Sequence, residues 1–173
     1  MLRAAQVAWE SGHRFTLVLA GPQMPNFLSF WKSFRPAGPV HVLGQLDEVQ
    51  KRDFFAAIDL FALPSRSDSF GLVFPEAWVN GVPCVGYRAG GVPWVIRDGI
   101  DGLLVRCGDI ASLAAALVRL VGDAALRRRM GEAGRARIPT EFDWADKLAL
   151  VRDTYEEVIA ERRGPSQPRS HSP

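Results

Sequence analysis

The chain has 173 residues, long enough for one domain with its own core. Hydrophobic residues make up 47% and charged residues 23%, an ordinary globular balance, and a net charge of +2 gives no footing for nucleic-acid binding. Cys84 and Cys107 have no metal-ligand spacing and are too few for a disulfide framework, so Cys84 reads as a buried strand residue. No run reaches the roughly 20 apolar residues of a membrane span. The segment Met1–Gln6 lacks the apolar run of a signal peptide, and a cytoplasmic location is expected.

Leu2, Ala5 and Trp9 recur at helical spacing and predict a helix over 2–10, stopped by Ser11-Gly12. The apolar run Phe15–Ala20, closed by Gly21-Pro22, predicts a buried strand. A helix is expected over 26–34, a strand over 40–43 ending at Gly44, and a helix from an Asp47 cap to Ala57 with Glu48 in its first turn. Residues 59–63 predict a third strand closed by Pro64. The polar loop 65–69 leads to a helix over 71–79, which Asn80-Gly81 ends, and 82–87 is a fourth strand. After loop 88–91 come a short helix over 92–97, the turn pairs Asp98-Gly99 and Asp101-Gly102, and a fifth strand over 103–105. Helices are expected over 110–121 (capped by Asp109), 124–138 and 144–162, and the Pro/Ser-rich tail 164–173 is expected to be disordered. Strands and helices alternate, which predicts a doubly wound α/β sheet of parallel strands. Ligands of such sheets sit beyond the carboxyl ends of the strands, so loops 21–24, 44–46, 65–70 and 88–91 are the places to look.

The informative stretch runs from Pro64 to Ala77, with Asp68 in the loop and Glu76 in the helix, seven residues between them. Pro75 dates the helix start to near Gly71–Leu72, because proline is tolerated only in a first turn. Free amides at that start, with a glycine allowing close approach, suit a pyrophosphate. A carboxylate one turn further on suits the vicinal hydroxyls of a ribose, and Asp68 those of a sugar. The same residues also fit a plain strand–loop–helix joint, with Glu76 a first-turn acid and Asp68 a loop cap.

The order of motifs resembles a known family. Asp68-Ser-Phe-Gly-Leu-Val-Phe-Pro-Glu76-Ala, Asn80-Gly-Val-Pro-Cys-Val85 and Ala89-Gly-Gly-Val-Pro93 look like the C-terminal, donor-binding domain of the glycogen-synthase/mannosyltransferase-like glycosyltransferases of family 4. Leu17–Gly21, Val42–Gly44, Asp59–Ser65 and Asp98–Val105 match as well, and the resemblance covers residues 2–160. It implies a Rossmann-like C-terminal half of a two-domain GT-B fold over 1–163, with the first strand of that domain missing. It also implies a retaining enzyme that moves a hexose from a UDP-, GDP- or ADP-sugar to an acceptor, with no metal or other cofactor.

On the resemblance, Glu76 binds the donor ribose and Asp68 sits near the donor sugar. Amides of Ser69, Phe70, Gly71 and Leu72 contact sugar and phosphate. Leu43, Gly44 and Gln45 lie against the base, and Ser65 and Arg66 line the same crevice. Attack is expected from the face of the leaving phosphate, so the domain's task is to stabilise the departing diphosphate.

The sequence departs from the family at three points. Asp68 stands where Glu is usual. Trp94 stands where Glu often follows Gly-Gly-x-Pro and reads as local packing, or as a changed acceptor or donor surface. No preceding strand supplies the expected Arg and Lys, and Arg3 and Lys32 do not match their positions. The N-terminal acceptor domain is therefore an expected partner, and the chain alone is expected to be inactive.

The basic stretch of Arg127, Arg128, Arg129, Arg135 and Arg137 reads as a solvated helix face, with peripheral membrane contact as the alternative. His13, His41 and His171 are scattered, and Trp78 and Trp144 read as core or helix-packing residues. The competing readings are a non-enzymatic nucleotide-sugar-binding module or subunit that needs a partner chain, and a nucleotide-sugar epimerase.

Overall fold

The computed structural model describes residues 1–163, and the tail expected over 164–173 lies outside them. The chain divides into two compact units, Met1–Ile138 and Pro139–Pro173. The first unit alternates helix and strand as α1 (Leu2–Glu10), β1 (Leu17–Ala20), α2 (Pro25–Ser33), β2 (Val40–Gly44), α3 (Glu48–Ala57), β3 (Phe61–Leu63), α4 (Val73–Val79), β4 (Cys84–Tyr87), α5 (Val92–Val95), β5 (Gly102–Val105) and α6 (Ile110–Gly122). Helix α7 (Ala124–Glu141) follows and carries Pro139 in its last turn. The second unit holds α8 (Trp144–Arg163).

The expected elements form, with ends that differ by one to a few residues. The alternation yields parallel pairing throughout, but in two pieces. β1 pairs with β2, and β3, β4 and β5 form a separate three-stranded sheet with β4 in the middle. Leu17 N–H donates to the Pro39 carbonyl and Phe61 N–H to the Pro83 carbonyl, so these two residues face their neighbouring strands. Backbone groups alternate sides along a strand. Val18 of β1 and Ala62 of β3 therefore point to edges that no described strand covers.

The core is built around β4, which is buried along its whole length. Val85 and Tyr87 pack with Ala4 of α1 and with Leu113, Leu117 and Leu120 of α6. The alternate residues meet the other layer: a Cβ on Gly86 would run into Val92, Ile96 and Phe74. Burial of these side chains supplies the main driving force for the three-stranded half.

Helix α7 is fastened to this core by polar groups. The Arg137 guanidinium donates to the Asp101 carboxylate (2.6 Å) and to the Val95 carbonyl (2.8 Å), and lies 5.1 Å over the Trp78 ring. Trp78 Nε1 donates to the Asp101 carbonyl at 3.0 Å. Burial pushes the Asp101 carboxyl up, against the opposing pull of the Arg97 amide and of Arg137. Trp78 is fully buried, as expected, and so is Cys84. Arg137 is not on a solvated face: it is 7% exposed, because Asp101 needs a counter-charge inside. Arg127 is also partly withdrawn, capping the end of α6 through the Leu120 and Val121 carbonyls. Trp144 differs from expectation in the other direction, being 67% exposed on α8.

The split sheet makes a specific prediction for hydrogen exchange. Val18 and Ala62 amides should exchange orders of magnitude faster than those of Val85 and Leu103, which lie within the paired sheet. Equal protection of Val18 and Val85 would contradict two open strand edges.

Candidate functional site

Three loops beyond the carboxyl ends of the strands build the candidate site. The most constrained joins β3 to α4. Asp68 caps its own turn: Phe70 N–H (3.1 Å) and Gly71 N–H (2.6 Å) both donate to its Oδ1. Gly71 takes φ +61°, with a Cβ position only 2.9 Å from the Phe74 ring, so a side chain there is excluded twice over. Helix α4 starts at Val73, one to two residues later than expected and with Pro75 still in its first turn, after the turn that Asp68 and Gly71 form. The amides of Ser69, Leu72 and Val73 donate to no acceptor among the described residues.

A second loop locks the first in place. Gly91 N–H donates to the Asp68 carbonyl at 2.7 Å. A Cβ on Gly90 would collide with the Asp68 carbonyl oxygen, and one on Gly91 with that of Ser69. The Gly-Gly pair therefore lets two backbones touch. Trp94 rides on α5 directly behind this contact and is 89% exposed, so it does not pack against a neighbouring element. Phe70, at 73% exposed, projects from the other loop.

Glu76 lies on α4, about one turn in. Its side chain is 40% exposed, and its Oε1 accepts a hydrogen bond from Lys51 Nζ at 3.1 Å. Oε2 accepts from no described residue. Lys51 also reaches Glu48 Oε2 at 3.2 Å. Its ammonium is held above the usual lysine range, first by the hydrogen bond to Glu76 and then by the one to Glu48.

The third loop follows β2. Gly44 takes φ +76°, and its carbonyl accepts from Gly21 N–H at 2.7 Å, tying the ends of β1 and β2 together. Leu43 is half exposed, and Gln45 and Leu46 turn into a cleft of about 1020 Å³. That cleft lies between the unpaired edges of β1 and β3 and includes Lys51, Asp68 and Val73. Asp68, Gln45 and Lys51 thus share one cavity. Ser65 closes its own loop, with its hydroxyl donating to the Ser67 carbonyl at 3.1 Å. Arg66 is exposed and borders a smaller cavity with Phe30, Tyr87 and Gly108. Sequence reasoning missed Lys51, whose contact with Glu76 spans 25 positions. The engagement of the Phe70 and Gly71 amides by Asp68 is the loop cap that the sequence offered as its alternative reading.

The family model for glycosyl transferases group 1 matches residues 1–137. The chain belongs to this family. Among its relatives is the N-acetyl-alpha-D-glucosaminyl L-malate synthase of Bacillus anthracis, 34% identical over 155 residues, which cover 90% of this chain and 40% of the relative. The C-terminal domain of the group 1 glycosyl transferase LpcC from Francisella tularensis superimposes with a TM-score of 0.71 at 24% identity, over 83% of this chain and 77% of that one. Alr3699/HepE of Anabaena, solved in complex with UDP, gives a TM-score of 0.74 at 22% identity, over 89% of this chain and 44% of that one. The fold is that of the C-terminal half of GT-B glycosyltransferases. The chain spans about 40% of the length of the Bacillus relative.

The loop contact leads to a paired prediction. Gly91→Ala should lower unfolding free energy by about 1–3 kcal/mol, since a backbone carbonyl occupies the space its methyl needs. Gly122→Ala, with nothing near its Cβ, should leave stability unchanged or raise it. Urea denaturation of both variants checks this, and a neutral Gly91→Ala would contradict the interlocked loops.

Proposed function

We propose that the parent enzyme is a retaining hexosyltransferase and that this domain binds its nucleotide-diphosphate-sugar donor. The observation that carries the reading is the shared cleft. Gln45, Lys51, Asp68 and Val73 line it, and Lys51 links it to Glu76 through the 3.1 Å contact with Oε1. In this reading the free amides of Ser69, Leu72 and Val73 bind the diphosphate. The Phe70 and Gly71 amides join them only where Asp68 yields its hydrogen bonds. Glu76 accepts from the ribose hydroxyls through Oε2, and the Asp68 oxygen that faces away from the turn accepts from the sugar. Leu43, Gly44 and Gln45 meet the base, and Ser65 shapes the crevice wall. The role in catalysis is electrostatic: oriented backbone dipoles stabilise the leaving diphosphate.

The same proposal assigns the part of the cleft along the open edges of β1 and β3 to a further parallel strand from outside residues 1–173, leaves its end at Gln45, Lys51 and Asp68 to the donor, and assigns the acceptor to a further domain. The unpaired edges support this, because buried backbone groups need partners. The enzyme is proposed to act in the cytoplasm. Peripheral membrane contact would rest on Arg128, Arg129 and Arg135, which are exposed. Among the described residues, no helix is long and apolar enough to cross a membrane. A binding module without activity of its own is the second reading, favoured by the same unpaired edges.

Calorimetric titration with UDP, GDP and ADP tests the donor site. One of the three should bind, and Glu76→Ala should weaken it by about ten- to a hundredfold, the loss of hydrogen bonds to a charged acceptor. Absence of binding by all three at millimolar concentration would sink the reading. Sugar transfer by this chain alone would exclude the binding-module alternative.

A further inference from the structure

Lys51 was singled out by no motif, yet it is the cation nearest the Glu76 carboxylate. Its place is set by local structure. Asp47 and Gln50 form a capping box at the start of α3, with the Val49 and Gln50 amides donating to Asp47 Oδ1 and the Asp47 amide donating to Gln50 Oε1. That fixes the helix register directly after the Leu43–Gln45 loop, with Lys51 one turn in. Packing sets the distance to α4. Phe55 of α3 meets Phe61 edge-on at 5.3 Å between ring centroids, and Phe61 meets Phe74 of α4 at 5.8 Å. This aromatic ladder holds the two helices at the separation that the 3.1 Å contact between Lys51 and Glu76 needs.

The contact leaves the two carboxylate oxygens unequal. Oε1 is taken by the ammonium, and Oε2 is free. We infer that Lys51 is a positioning residue of the donor site: by holding Oε1 of Glu76 it presents Oε2 to the vicinal hydroxyls of a bound pentose. The inference rests on the reading of Glu76 as the pentose acceptor. A long side chain that is already held loses less rotamer freedom on binding. The cation also offsets the repulsion between Glu76 and an incoming diphosphate, while Glu48 on its other side keeps the three-residue cluster net negative toward hydroxyl donors. Lys51 itself is one-third exposed, so its effect is graded rather than absolute.

The test is discrimination between ribose and deoxyribose, which a purely structural lysine would not change. The protein, Lys51→Met and Lys51→Arg are titrated with UDP and 2′-deoxy-UDP, and likewise with the GDP and ADP pairs, and their melting temperatures are compared. Lys51→Met should weaken the ribonucleotide by about three- to tenfold and the deoxynucleotide by clearly less, so that the ratio falls. Lys51→Arg should keep most of the discrimination, and both variants should melt close to the parent. Equal weakening of both sugars, or no weakening, would overturn the inference while the donor reading stands. Failure of the unmodified protein to bind any of the ribonucleotides would instead remove the donor reading, and the inference with it.

Discussion

The contact between two loop backbones governs the site. Asp68 uses its side chain to close the β3–α4 turn and its carbonyl to receive the Gly91 amide, so one residue fixes both the shape of the turn and its attachment to the neighbouring loop. The attachment works only because positions 90 and 91 carry no Cβ. A turn held from two sides presents its remaining amides in fixed directions. Preorganised dipoles are worth more than mobile ones, because nothing must reorganise when charge develops. Carboxylate, glycine pair and turn act as a unit, and the exposed Phe70 and Trp94 project from its two halves.

The halves of the sheet contribute differently to this arrangement. β4 is covered on both faces and carries the interlocked loops at the ends of β3 and β4. The buried Arg137–Asp101 pair ties α7 to that half, at a desolvation cost visible in the raised carboxyl of Asp101. β1 and β2 stand apart, with strands less deeply buried than β4. The loop at Gly44 thus belongs to the less supported half, and α3 bridges to the other half through Phe55 and Phe61. Lys51 and Glu76 meet where that bridge ends.

Much of this was legible in the sequence where the cause is local. Asp47 and Asp109 announce helix caps and form them, because a short acceptor ahead of free amides has few other uses. The alternation of apolar runs with helical spacing gave the order of elements, since periodicity reflects which face is buried. What escaped depends on contacts across the chain. Arg137 looks like its neighbours Arg128 and Arg135, and only the fold reveals the buried carboxylate 36 positions away. Trp94 has the composition of a core residue, but the α5 turn aims it outward. The later start of α4 accompanies Asp68 binding the Phe70 and Gly71 amides, a cap that the sequence offered without fixing where the helix begins. The split of the sheet could not be read from periodicity, which specifies strands and not their neighbours.

The central claim is that the Asp68–Leu72 turn receives the diphosphate. Amide NMR spectra recorded during titration with UDP, GDP and ADP test it directly. The account predicts that the largest shifts fall on Ser69, Phe70, Gly71, Leu72 and Val73, with Gly91 following through its shared hydrogen bond. Saturable binding that leaves this turn silent and shifts residues elsewhere would contradict it.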